Sequence, residues 1–300
     1  MVSSIASSPA IDLSRLPAPE LIAQPDFETR RQAKIDRLIS LLPEFSALVE
    51  SDPAIKLIEA DSYDEMVLAQ HFNDAARSLL LAYATGGSLD QLAALYGVTR
   101  LVTTPVNPVT GAPAVMESDD DLRRRVLIAP HSFSVAGPEL AYVYHAHSAS
   151  GDVLDASATS PSPGEVVVSI LSRTGDGTAP AQTLNAVSAV LQNKAVRPMT
   201  DHVTVQSAAI IEFDVTASLW LYAGPDETLI LDTAMASLDE FLGSVKRLGR
   251  DINRSALIAA LHVAGVQRVH LAAPAADIVL TMLQAGHAVN INVAVAGTAD

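Results

Sequence analysis

Residues 249–280, GRDINRSALIAALHVAGVQRVHLAAPAADIVL, read as a capped helix, a glycine stop, a strand, a proline turn and a second strand. Asp251 or Asn253 offers a side-chain oxygen to the first amides of RSALIAALHVA, and Gly265 lies where that helix must stop. VQRVHLAAP and, further on, HAVNINVAV follow the two-residue period of strands. Both element types alternate within a short span, so the segment predicts an α+β chain. It carries no cysteine, and His262 and His270 have no carboxylate at a spacing that suggests a site.

The same order of elements occurs upstream. GPELAYVYHAHSASG predicts a helix from Pro138 to about Gly151, then DVLDASATS, the turn PSPG and EVVVSILS give a hairpin. APAQTLNAVSAVLQNKA is a helix with Leu184, Val187 and Leu191 on one side. DHVTVQSAAIIEFDVTASLWLY reads as strand, with Ile211, Phe213, Val215, Ala217, Leu219 and Leu221 facing one way. DETLILDTAMASLDEFLGSVKRLG is a long helix striped by Leu231, Met235, Leu238, Leu242 and Val245. The reading is of two related small α+β units, 119–224 and 225–300, joined by a weak internal repeat.

The first hundred residues, 1–101, read as helical. DFETRRQAKIDRLISLLPEF places Ile35, Leu38, Ile39 and Leu42 on one face until Pro43 stops it. The next helix starts with Asp52 as N-cap and Pro53 at its first position, and its stripe of Leu68, Phe72, Ala76, Leu79 and Tyr83 predicts helix as far as Gly86–Gly87. In SLDQLAALYG, Ser88 and Gln91 form a capping-box pattern and Gly97 a C-cap. Residues 102–118 hold three prolines and no period, and are expected to be a linker or an irregular crossing.

Composition narrows the function. Acidic residues outnumber basic ones 34 to 19, and the net charge of −15 repels nucleic acid phosphate and anionic lipid, so neither is an expected partner. With no cysteine, disulfides, thiolate metal sites and cysteine nucleophiles are excluded. The N-terminus MVSSIASSPAIDLSRLPAPELI lacks the basic and apolar regions of a signal peptide. Residues 278–299 carry no charged side chain, but Gln284, His287, Asn290 and Asn292 among alternating apolar residues argue for a half-buried strand rather than a membrane helix.

Chemical motifs are mostly missing. No phosphate-binding loop, nucleophile elbow, HExxH or EF-hand pattern occurs, and TGDGTAP holds only Gly175 and Gly177, as a tight loop does. His145 and His147 stand two apart on a helix, point to opposite sides and are expected to be unrelated surface histidines. Asp119, Asp120 and Asp121 cannot converge on one cation from consecutive helical positions. They suit a solvated helix start capped by Ser118, with Asp119–Arg123, Asp120–Arg124 and Asp121–Arg125 pairs four apart. No catalytic, cofactor-binding or metal-ligating residue is assigned, and no cofactor is expected.

IDLSRLPAPELI, TGGSLDQLAALYGVTR, APAVMESDDDLRRRV, SVAGPELAYVYHAHSASGDVLDASATSPSPGEVVVSILSRTGDG, VRPMTDHVTVQSA and the opening segment resemble, in that order, the baseplate assembly protein J family. These are wedge proteins of contractile phage tails and phage-tail-like bacteriocins, built in the host bacterial cytoplasm. The resemblance implies a non-enzymatic structural role. It implies two copies of the chain bundled through N-terminal helices with one smaller wedge protein of the protein I family. C-terminal domains would join neighbouring wedges into a ring around the hub that controls sheath contraction. Leu68, Phe72, Leu79 and Tyr83 become the expected bundle contacts. Arg254 becomes a contact at the wedge junction, where charge reversal is expected to spare folding. A hydrolase with a dispersed active site and a receptor-binding tail component are the alternatives. The low aromatic content, 4%, counts against the second.

Overall fold

The computed structural model describes residues 13, 16–17, 26–44, 49–134, 136–224 and 226–299. Most of the N-terminal stretch IDLSRLPAPELI lies outside them. Two compact units divide the chain, Ile11–Thr99 and the residues from Arg100 onward.

The first unit is helical. Asp26 accepts from Thr29 N to start α1 (Phe27–Leu41), and Asp52 accepts from Ala54 N at 2.7 Å to start α2 (Pro53–Ser78), with Pro53 in the first turn. The two helices pair through Arg30–Glu65, Arg31–Glu59 at 3.3 Å, and Lys34 with Asp61 and Glu65 at 2.7 and 2.8 Å. α2 is shorter than its stripe predicts. The amides of Leu79, Leu80 and Tyr83 each bond three residues back, and this tightening ends the helix. Leu79 is therefore the C-cap and Tyr83 lies beyond it. α3 (Gly86–Ala94) starts at Thr85 without a side-chain cap, so Ser88 and Gln91 form no capping box. Gly97 has a φ of +71°, as its expected C-cap position requires.

The second unit opens with a small antiparallel ribbon, β1 (Val102–Thr104) with β2 (Val115–Met116), where the sequence suggested a linker or an irregular crossing. After α4 (Asp119–Ile128) and a 3-10 turn at Ala129–Phe133 comes α5 (Glu139–Ala149). Leu140, Ala141, Tyr142, Val143, Tyr144, Ala146 and His147 of α5 are all buried. A helix buried around most of its circumference is a core element, so the histidines are not surface residues of an amphipathic helix. α5 packs on β3 (Val153–Thr159), which pairs antiparallel with β4 (Glu165–Ser172) as the hairpin pattern predicts. α6 (Ala181–Leu191) buries Val187 and Leu191, and leads to β5 (His202–Ser207), parallel to β4. The first sheet is β3-β4-β5.

Residues 202–222, read from sequence as one strand-like stretch within the middle unit, are two strands in two sheets. Ala208 N donates to Ile170 O of β4, while the next amide, Ala209 N, donates to Leu283 O. From there β6 (Ala209–Tyr222) is the central strand of a second sheet, between antiparallel β7 (Val266–Ala273) and parallel β8 (Gln284–Ala299). Phe213, Val215, Ala217, Leu219 and Leu221 form its inner face, as the two-residue period predicts. They pack on Ile230, Ala234 and Leu238 of α7 (Glu227–Val245) and on Leu257 and Leu261 of α8 (Arg254–Leu261). Each sheet thus has a central strand with one antiparallel and one parallel neighbour. The connection differs, because β3 and β4 form a hairpin whereas β7 and β8 are separated by β6.

The opening segment folds back on itself. Ile252 and Ile278 form a two-way bridge, Ile252 N to Ile278 O at 2.9 Å and Ile278 N to Ile252 O at 3.0 Å. Of the two expected caps, Asn253 takes the N-cap position, its carbonyl accepting from Leu257 N at 3.2 Å. Asp251 accepts from Leu280 N, Asn253 makes no side-chain cap bond, and Arg254 N donates instead to Asp277 at 2.7 Å.

Candidate assembly surfaces and a charged seam

The expected bundle stripe is solvent-facing in the single chain. Leu68 is 55%, Phe72 57% and Leu79 73% exposed, whereas Ser62 and Asn73 of the same helix are buried. Leu57 and Leu41 are exposed as well. Ile55 and Ala69 face inward, so the exposed apolar side chains form a second apolar face that the chain's own core does not cover. Tyr83 differs: it is half-buried and its hydroxyl donates to Leu16 O.

Arg254 is placed inward. Its guanidinium donates to Leu271 O at 2.9 Å and to Pro274 O, holding the end of β7 against the start of α8. These bonds argue against the expectation that charge reversal there spares folding. A glutamate could donate to neither carbonyl and would bring its charge close to Asp277.

α4 is also less solvated than its sequence suggests. Ser118 does cap it, accepting from Asp121 N at 3.2 Å, but Leu122, Arg125, Val126 and Ile128 are buried. Several of its charged residues pair at spacings other than the expected four, Asp121 with Arg124 among them. Asp119 meets Arg100 at 2.7 Å, Arg123 turns back to Asp120, and Arg125 makes a buried two-pronged bond to Glu117 at 2.7 and 2.7 Å. Arg125 reaches Glu117 because its helix face points into the lobe, where an unpaired guanidinium would be costly.

Asp121 faces a crowd of cations. Arg173 approaches at 3.0 Å, Arg124 at 3.4 Å and Arg247 at 3.7 Å. Burial pushes the Asp121 carboxyl upward, yet the three guanidiniums outweigh it and hold the group below its ordinary value. Burial, and then the charge of Arg124, lowers Arg247. These residues line a cavity of about 280 Å³ at the seam between the lobe of the first sheet and the segment after α7. His147 lines it too. This buried imidazole keeps Nε2 without a hydrogen-bond partner, 3.6 Å from Asp155 Oδ1. Asp155 itself accepts from Ala156 N and from Leu248 N at 2.9 Å, which fastens β3 to the C-terminal lobe.

The other histidine of the pair, His145, is half-buried and lowered by burial, and it stacks edgewise on Tyr144. Of the two hydroxyl residues lining the cavity, Ser244 donates to Phe241 O and Thr103 to Val115 O. Among the described residues no group of three or more His, Asp or Glu side chains could hold a metal ion. No described helix is long and apolar enough to cross a membrane.

Residues 50–107 match the Baseplate J-like N-terminal domain, 134–207 the Baseplate J-like central domain and 213–293 the Baseplate J-like protein C-terminal domain. The chain belongs to the baseplate J-like family. It is also 46% identical over 299 residues to Baseplate protein J of Escherichia phage P2, covering 97% of this chain and 99% of that protein. In this baseplate J-like chain the central and C-terminal matches part between residues 207 and 213, where the sheets change over.

Sequence reasoning missed the seam. Arg173 and Arg247 are far from Asp121 in the chain, so no local spacing announces them. Asp155 did leave a signal, as the single charge on the strand VLDASAT.

Proposed function

We propose that the chain is a structural component of a contractile-tail baseplate wedge, placed in the tail of a phage or phage-tail-like particle. Its N-terminal helices join a second copy of the chain and a smaller wedge protein of the protein I family. Its C-terminal lobe meets neighbouring wedges, so that the ring surrounds the hub and restrains the sheath until firing. The observation that carries this reading is the exposed stripe Leu68, Phe72 and Leu79, which the single chain leaves uncovered. Family membership and the likeness to Baseplate protein J support it. The C-terminal lobe contributes two sheet edges, β7 and β8, with Val289 and Ile291 exposed on β8. Open edges of that kind suit coverage by a neighbour.

Co-expression with the small wedge protein tests the proposal. Leu68→Lys with Phe72→Lys alters only exposed side chains, so the chain should remain folded and lose co-purification. Undiminished co-purification of the double variant would remove the bundle assignment.

A further inference from the structure

We propose that the seam cavity binds a small inorganic oxyanion of the phosphate type, which ties the two α+β lobes together. Five arginines line it, Arg124, Arg125, Arg173, Arg247 and Arg250, against the carboxylates Glu117, Asp121 and Asp155. Two of those carboxylates are already engaged. Glu117 takes the two-pronged bond from Arg125 and also accepts from Leu101 N, and Asp155 accepts from two backbone amides. Asp121 faces Arg124, Arg173 and Arg247 at once, and the Asp155 charge also acts on Arg247, which still leaves cations in excess.

The cation excess sits in a chain whose net charge is −15, so it is a local arrangement and not a general trend. Guanidiniums carry five donors each, and Arg124 and Arg247 have donors that one shared carboxylate cannot use. The Arg250 side chain makes no hydrogen bond or ion pair among the described residues and stands at the exposed rim. His147 is the second, independent sign. Its ring lines the cavity and its buried Nε2 makes no hydrogen bond, the nearest carboxylate, Asp155, standing 3.6 Å away, where buried polar groups are almost always hydrogen-bonded. An oxyanion with several lone pairs would accept from this imidazole and from the free arginine donors at once. The size fits: the cavity of about 280 Å³ is slightly below the usual range for ligand pockets and generous for a few-atom ion with its water. Asp121, Arg125, Arg247 and His147 are too recessed for a broad protein surface to reach, which favours a small ion over an acidic polypeptide.

Such an ion would draw on both lobes. Arg124 and Arg173 belong to the lobe of the first sheet, while Arg247 and Arg250 follow α7. The test is a thermal-unfolding titration of the full chain with sodium phosphate, against sodium chloride at matched ionic strength, together with calorimetric binding of phosphate. Phosphate should raise the unfolding midpoint beyond the chloride control. The exposed-rim variant Arg250→Ala should fold normally and bind phosphate about tenfold more weakly, the loss of one charge-assisted bond. A midpoint that follows ionic strength alone, or equal phosphate affinity in Arg250→Ala, would overturn the proposal. So would binding of an oligoglutamate peptide with no binding of phosphate.

Discussion

At Gly151 the chain passes so close to the β1 ribbon that an added Cβ would lie 2.1 Å from Val102 O. The obstacle is backbone, not a flexible side chain, so it cannot step aside. Gly151→Ala should lower stability by about 2–3 kcal/mol, as overpacking does, and thermal melts would show it. Asp121 makes a second prediction at this scale. Its carboxyl is held below the ordinary value by Arg173, Arg124 and Arg247 against the pull of burial. A depressed acid stabilises the fold above its unfolded pKa of 3.8, and that stabilisation is lost as pH falls through the lower folded value. Asp121→Asn should therefore cost about 1–3 kcal/mol at neutral pH and should flatten the acid limb of a stability-versus-pH curve. His145 has the opposite chemistry and a related sign: burial favours its neutral form, so stability declines as pH drops below 6.5. His145→Gln should remove that slope below pH 6.5 in the same melts.

Elements show which kinds of information a linear sequence carries. The two-residue period of β6 gave the inner face residue by residue, and the Asp52–Pro53 start of α2 was correct, because both depend on neighbours in the chain. Ends of elements were harder. α2 stops at Ser78 through three-residue hydrogen bonds that leave no residue signature, and α8 borrows its cap from Asp277 across the turn. Strand pairing was hidden as well, since nothing local says that Ala208 and Ala209 address different sheets. Of the expected contact residues, Leu68, Phe72 and Leu79 were legible as a stripe, while the inward guanidinium of Arg254 was not. Arg254→Glu should accordingly lower the thermal midpoint, by about 1–3 kcal/mol in stability, before any effect on assembly. Circular dichroism melts of the isolated chain separate these two outcomes.

For the whole molecule, the helical unit and the two α+β lobes hold themselves together by different means. α1 and α2 rely on exposed ion pairs and little apolar burial, so that unit should respond to salt and to a partner. The C-terminal lobe has a large apolar core and should be indifferent to salt in the same range. Hydrogen exchange of the isolated chain should show α1 and α2 opening more readily than β6, with protection of α2 rising when the small wedge protein is added. Equal protection of all three elements in the isolated chain would contradict that ordering.

The change of sheet between Ala208 and Ala209 has a mechanical meaning. One peptide bond separates an amide anchored to β4 from an amide anchored beside β8, so the lobes share a strut with no slack. A pull on either sheet passes along covalent backbone into the other before any side chain can yield. In a device that stores tension and then releases it, such a part behaves as a rigid yoke. Lengthening it by a few glycines should let one lobe lag behind the other while each keeps its own melting transition.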